Sequence, residues 1–366
     1  MENLLYRRQF VLSREDSINR PNWINYSLPF GYFLYAHPDV SQADIVEKGK
    51  RIVLIGNIYD PFNKTYRNED IAERLIKSDK IEDLTIASSA YAGRFLILFS
   101  TSDQMFIFND ASASRKVYYS CGSGPAWCAS QPHVLAAYLK IEKSKDPRVI
   151  AYYQSREFHN HDNSGVRNNT VYDNIKQLQP NHYLNLLENK VIRFWPVKRN
   201  KLISMTEGVE KGTEMLKGII TSANERDELM MAVTAGNDTR LLLAASRDVS
   251  ENVFYYINNI PRYDEKHQDI VIPTRLLDKV GLKFNILDYS NDVDEDFKKV
   301  FFQNNLFAIE GNLPIIYNTY YKRFPNKINH CRDGLVISHE IFSILTERTS
   351  LLNCWQRFGF IRGLNM

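Results

Sequence analysis

A chain of 366 residues with 46 basic and 43 acidic side chains carries a net charge of only +3, which gives no case for a dedicated nucleic-acid or membrane-surface protein. With 44% hydrophobic and 24% charged residues it has the make-up of an ordinary globular protein, long enough for two domains. It has no run of about 18 apolar residues, and residues 1–8 lack the apolar core of a signal peptide, so no membrane partner and a cytoplasmic location are expected.

Residues 1–20 are polar and mixed. Strand-like text begins around Trp23, Tyr26, Tyr32, Phe33 and Tyr35, with Pro29-Phe30-Gly31 as a turn. Residues 51–61 read as a strand ending in a turn, and 69–78 have helical spacing through Ile71, Leu75 and Ile76. A strand over 91–99, entered through Gly93, turns at Thr101-Ser102-Asp103 into 105–110, which reads as a hairpin. Two short strands (116–119 and 126–130) precede a helix over 132–139. This half predicts an α+β layered domain. The four cysteines, Cys121, Cys128, Cys331 and Cys354, show no C-x-x-C spacing, so neither a zinc knuckle nor a redox pair is expected, and Cys121 and Cys128 read as structural. In Phe158-His159-Asn160-His161-Asp162 two histidines and an acid offer metal ligands, but no third partner has recognisable spacing. Loop-forming residues follow, and a solvated loop is expected.

Several of these runs, in this order, resemble the amidotransferase domain of asparagine synthetases. They are Gly93-Arg94-Phe95, Asp110 followed by Arg115-Lys116-Val117-Tyr118-Tyr119, and Ala129-Ser130. Residues 170–184, TVYDNIKQLQPNHYL, resemble that family's "I-x-x-L-x-P-G-h-y-l" segment, with Asn181 in place of the usual Gly. Asn also tolerates positive φ, so the turn is expected to survive. Residues 191–196 resemble the strand that closes the domain. The resemblance implies an N-terminal amidotransferase-like layered sandwich over residues 1–198. The family's glutaminase uses an N-terminal Cys as nucleophile and its own amine as base. Here position 2 is Glu2, so no glutamine hydrolysis is expected.

Residues 199–201 form a charged linker, and 205–223 carry Val209, Leu216, Ile219 and Ile220 at helical spacing. Residues 229–245, LMMAVTAGNDTRLLLAA, run from apolar text through a small-residue turn holding an acid into good helix formers. That is a buried strand feeding a helix through a tight loop. The loop is either simple turn chemistry or an anion site built from successive N–H groups at a helix N-terminus. A strand over 252–257, a helix over 269–280 stopped by Gly281, and a strand over 284–288 complete a βαβαβ run. This predicts a parallel sheet with ligand at the C-terminal ends of its strands.

Thr234-Ala235-Gly236-Asn237-Asp238-Thr239 resembles the "S-G-G-x-D-S" loop of the ATP pyrophosphatase domain of the same family. The resemblance spans about residues 50–290. It implies an α/β parallel-sheet ATP pyrophosphatase domain over 202–366, incomplete at its C-terminus, with ATP and Mg²⁺ bound. Backbone N–H groups of 234–239 would hold pyrophosphate, Thr234 and Thr239 would add hydroxyls, and Asp238 would ligate the metal and serve catalysis. Tyr256, within 254–257, would flank the adenine. Arg240 fits a phosphate partner or a surface helix residue equally, and Asp269 reads as a helix N-terminal acid more than a ligand.

The family's later "G-x-G-x-D-E" turn is not matched. Glu340 is the one catalytic candidate near its place, and the tail after about residue 330 reads as truncated or altered. The expected function is an ATP-dependent amide ligase that activates a small-molecule or peptide carboxylate as an acyl-adenylate. The alternatives are a non-catalytic nucleotide-binding protein and a scaffold that keeps only the fold.

Overall fold

The computed structural model describes residues 4–16, 20, 22–160, 163–196 and 202–324. Glu2, Glu340, Cys331, Cys354, His161, Asp162, the linker and the tail lie outside them.

Strands β1 (Phe10–Ser13), β2 (Ile24–Leu28), β3 (Tyr32–Ala36), β4 (Gln42–Glu47) and β5 (Lys50–Tyr59) lead to helices α1 (Asn68–Leu75) and α2 (Ile81–Ser88). Next come β6 (Ala92–Ser100), β7 (Met105–Asn109), β8 (Tyr118–Ser120) and β9 (Cys128–Ala129), then α3 (Pro132–Leu139), α4 (Pro147–Tyr153) and α5 (Arg156–Asn160). Strands β10 (Ile175–Gln177), β11 (His182–Asn185) and β12 (Lys190–Arg193) close the unit. They pair into two six-stranded sheets, β10-β8-β9-β1-β3-β2 and β12-β11-β7-β6-β5-β4. Every pairing within them is antiparallel.

Side chains alternate faces along a strand, and this sorts the core into layers. Val53 and Ile55 of β5 meet Phe10, Leu12 and Leu34 of the other sheet. Ile52 and Leu54 turn the opposite way, onto Ile71 and Leu75 of α1 and Leu84 of α2. Val11 of β1 faces outward onto Val134 and Leu135 of α3. The unit is therefore a helix–sheet–sheet–helix sandwich. Its inner strands are covered on both faces, which is why 95–99 reads as unbroken apolar text without alternation.

Three local expectations are corrected. The polar opening hides β1, whose four residues are all buried but too few to show a period. Helix α2 was not expected. The solvated loop at 158–162 is in part helix α5, because Phe158 is only 1% exposed and packs among Tyr152, Tyr153 and Phe307. Phe307 comes from about 150 residues further along the chain, so no local pattern signals that anchor. His159 bonds Asn163 at 3.0 Å.

The second unit runs α6 (Met205–Asn224), β13 (Leu229–Ala232), α7 (Asn237–Ala245), β14 (Val253–Asn259), α8 (Gln268–Lys279), β15 (Phe284–Asp288) and α9 (Glu295–Asn304). A π-helix, Ile316–Arg323, ends the described chain. Strands β13, β14 and β15 form a three-stranded parallel sheet in sequence order, with Met231 opposite Tyr255 and Tyr256 opposite Asn285.

The two units share a seam. Arg226, just after α6, lies over the Tyr59 ring at 4.7 Å and donates to Asn68 Oδ1 at 3.0 Å. Gly218 brings α6 against the Pro61 carbonyl so closely that a Cβ there would sit 1.9 Å from its oxygen. Gly218→Ala is expected to cost about 1–3 kcal/mol by forcing the seam apart. A urea melt reads this, with Gly311→Ala, where nothing lies within 4 Å, as the control. Equal midpoints for the two variants would show that the seam yields freely.

Candidate functional site

The parallel sheet delivers β13 into the turn that precedes α7. Val233 is fully buried, and its N–H donates to the Tyr256 carbonyl at 2.9 Å, so sheet pairing continues to the lip of the turn. Thr239, one turn into α7, reaches back across it. Its Oγ1 accepts the Thr234 N–H at 3.0 Å, lies 3.1 Å from Thr234 Oγ1, and is 3.2 Å from the Thr234 carbonyl oxygen. Thr234 Oγ1 in turn accepts the Gly236 N–H at 3.1 Å. The two threonines thus hold the turn shut on itself. Gly236 is the N-cap of α7 and offers no side-chain cap to the helix. The first N–H groups of α7 and the positive end of its dipole therefore face the mouth of the turn.

Asp269 of α8 is the second component. Its Oδ1 accepts the Ala235 N–H at 2.9 Å, and its Oδ2 accepts the Tyr263 hydroxyl at 3.2 Å. His267 caps α8, with Nδ1 accepting the Asp269 N–H at 3.2 Å, and its ring stacks on Tyr263 at 4.1 Å. The Ala235 N–H is thus already occupied by a side chain of the protein.

The six residues 234–239 thus come together as one turn. Asp238 stands exposed on the first turn of α7. Arg240 folds back onto the loop, donating to Asn237 Oδ1, with Nε 3.4 Å from the Gly236 carbonyl oxygen. Tyr256 is only 1% exposed, and its hydroxyl lies 2.8 Å from that of Tyr320 on the π-helix. Sequence reasoning read Asp269, in His267-Gln268-Asp269, as a helix N-terminal acid more than a ligand, gave His267 no role and passed over Tyr263. The available signal was an acid opening the second helix of a βαβ run, where strand ends converge.

No group of three or more His, Cys, Asp and Glu side chains converges on a metal position among the described residues. Asp238 is a lone exposed carboxylate, so a Mg²⁺ held there would need phosphate oxygens and water for the rest of its shell. In the first unit, Cys128 is fully buried and Cys121 half-buried, and burial raises both thiol pKa values above the ordinary range. That holds both in the weakly nucleophilic thiol form.

No family model and no curated protein matches the sequence. Among solved structures, the chain is similar to the allosteric regulatory enzyme of purine biosynthesis, with 9% identity and a TM-score of 0.32, over 84% of this chain and 74% of that one. It is also similar to glutamine phosphoribosylpyrophosphate amidotransferase from B. subtilis in complex with ADP and GMP, with 11% identity and a TM-score of 0.29, over 77% of this chain and 82% of that one. Overlap at this level bears on neither site nor activity.

Proposed function

We propose that residues 234–239 hold the phosphates of ATP and that the chain is an asparagine synthetase-like amide ligase that does not use glutamine. The observation that carries this reading is the uncapped N-terminus of α7, set behind a threonine-pinned turn at the C-terminal end of a parallel strand. The N–H groups of Thr234, Ala235 and Gly236 are engaged by Thr239, Asp269 and Thr234, so in this reading a phosphate meets first the leading N–H groups of α7, at residues 237–239. In this reading a substrate carboxylate oxygen attacks the α-phosphate of ATP, the bond to the β-phosphate bridge breaks, and an acyl-adenylate and pyrophosphate form. An amine then displaces AMP. The turn binds the leaving pyrophosphate, and Asp238 holds the Mg²⁺ that offsets its charge. Glu340 is retained as a further catalytic candidate, whereas Tyr256, 1% exposed and hydrogen-bonded to Tyr320, offers no surface to an adenine.

A second reading is a nucleotide-binding protein without turnover. It is favoured by Asp269, which already occupies the Ala235 N–H with a carboxylate. The two readings part on pyrophosphate release. With ATP, Mg²⁺ and a panel of amino-acid and peptide carboxylates, the ligase reading expects carboxylate-dependent pyrophosphate. ATP·Mg²⁺ binding by calorimetry without pyrophosphate release would favour the second reading, and no binding would remove both.

A further inference from the structure

The connection from β14 to α8 carries two aromatic rings that the phosphate turn itself does not use. Tyr263 and His267 stack at 4.1 Å between centroids, with their planes 30° apart. Two backbone turns bring them together: the Tyr263 N–H donates to the Ile260 carbonyl at 2.8 Å, and the His267 N–H to the Asp264 carbonyl at 3.0 Å. One residue then ties the pair to the 234–239 turn. Asp269 accepts the Ala235 N–H on Oδ1 and the Tyr263 hydroxyl on Oδ2, while its own N–H donates to His267 Nδ1. The rings therefore stand beside the mouth of the turn, at the same edge of the sheet, and are fixed relative to it.

The two rings differ in what they leave open. Tyr263 has His267 against it and the Arg262 guanidinium over its ring at 5.5 Å. Among the described residues His267 stacks on no ring but Tyr263, and its side chain is 36% exposed. Capping alone does not call for a histidine here. Ser, Asp and Asn are the favoured N-cap residues, and each can accept the N–H that His267 accepts. A histidine also leaves a planar face in water, which a further flat group can cover.

We propose that His267, backed by Tyr263, is the stacking platform for the adenine of the nucleotide whose phosphates meet α7; the proposal rests on the reading of the 234–239 turn given above. Base–aromatic stacking contributes substantially to nucleotide affinity and needs only a flat, accessible face. The platform is set before the ligand arrives, because Asp269 holds ring pair, helix and turn at once, and little ordering is left to oppose binding.

The test is calorimetry on the full chain with Mg²⁺, comparing ATP with methyl triphosphate, which carries the same charge and no nucleoside. ATP is expected to bind about tenfold tighter or more. His267→Asn keeps a capping oxygen but no ring, and is expected to lose that preference while methyl triphosphate binds as before. His267→Phe keeps a ring but no cap, and is expected to retain the preference even where a looser turn weakens both ligands. A capping role alone would leave the preference untouched in both variants and weaken only His267→Phe. The platform is overturned if His267→Asn keeps the preference, if His267→Phe loses it, or if the unaltered chain shows none, a result that needs no variant to fold. In each of these cases binding of methyl triphosphate leaves the phosphate reading of the turn in place. Binding of neither ligand removes the ATP reading and the platform with it.

Discussion

Gly93→Ala is expected to be strongly destabilising, by roughly 2–6 kcal/mol. Gly93 sits at φ +130°, where an L side chain is strained, and a Cβ there would lie 2.2 Å from the Asn57 carbonyl oxygen. Gly56, across the same strand pair at φ +106°, would put its Cβ 2.1 Å from the Arg94 carbonyl oxygen. Neither clash is with a side-chain tip that can swing aside; both are with backbone. Relief requires spreading β5 from β6, the pair registered from Arg51↔Ser100 to Tyr59↔Ala92 at the heart of the second sheet. Strain of ~1–3 kcal/mol adds to overpacking of ~1–3 kcal/mol, against a total stability of about 5–15 kcal/mol for a typical domain. Gly49→Ala separates the two terms, because Gly49 has φ +77° but nothing within 4 Å of its Cβ position. Its cost is about 1–2 kcal/mol of backbone strain. Urea melts of the three proteins, with near-ultraviolet circular dichroism as the packing probe, give the comparison. Equal midpoints for Gly93→Ala and Gly49→Ala would show that the strands spread at no cost.

Asp238→Ala is expected to weaken ATP·Mg²⁺ binding by on the order of 2–4 kcal/mol while leaving the weaker, metal-free binding of ATP in place. The expected selectivity comes from position. Asp238 is exposed on α7, so its removal leaves no cavity. The metal-free contribution belongs to the backbone of the turn and the α7 dipole, which the substitution does not touch. Calorimetry with and without Mg²⁺ reads the difference directly. Thr239→Val supplies the opposite pattern. It keeps the shape but removes the hydroxyl that accepts the Thr234 N–H and pairs with Thr234 Oγ1. Loosening the turn weakens ATP with and without metal alike. Unchanged affinity for ATP·Mg²⁺ in Asp238→Ala would sink its assignment as the metal ligand, and with it the resemblance to the pyrophosphatase loop at its most specific position.

The second unit was the more legible part of the chain. Its strands are short apolar runs bounded by helices of clear period, and the strand expected at 284–288 is β15 to the residue. A βαβ run carries its own topology, because a right-handed crossover leaves few arrangements open. The sandwich was less legible. Residues 95–99 and 105–109 announced strands, but a strand covered on both faces carries no mark of which face meets which layer. β1 and β9, four and two residues long, hold no period at all. They become strands through pairing: Val11 with Tyr35 on one side and with Ala129 on the other.

Residues 229–245 show where the division falls at the site. The order of apolar run, small residues, acid and helix formers determined by itself that a strand would hand over to a helix through a tight turn, because those propensities are local. It also put Thr234 and Thr239 five residues apart, near enough for the first turn of a helix to join them. What occupies the Ala235 N–H was decided only in three dimensions. Asp269 and Tyr263 arrive from the next βα connection, since parallel strands bring successive loops to one edge of the sheet. A cavity lined by Arg94, Lys116 and Phe297 is of the same kind. Its walls come from residues as far apart as Leu4 and Tyr320, and no local pattern in a chain of net charge +3 marks where its cations will gather.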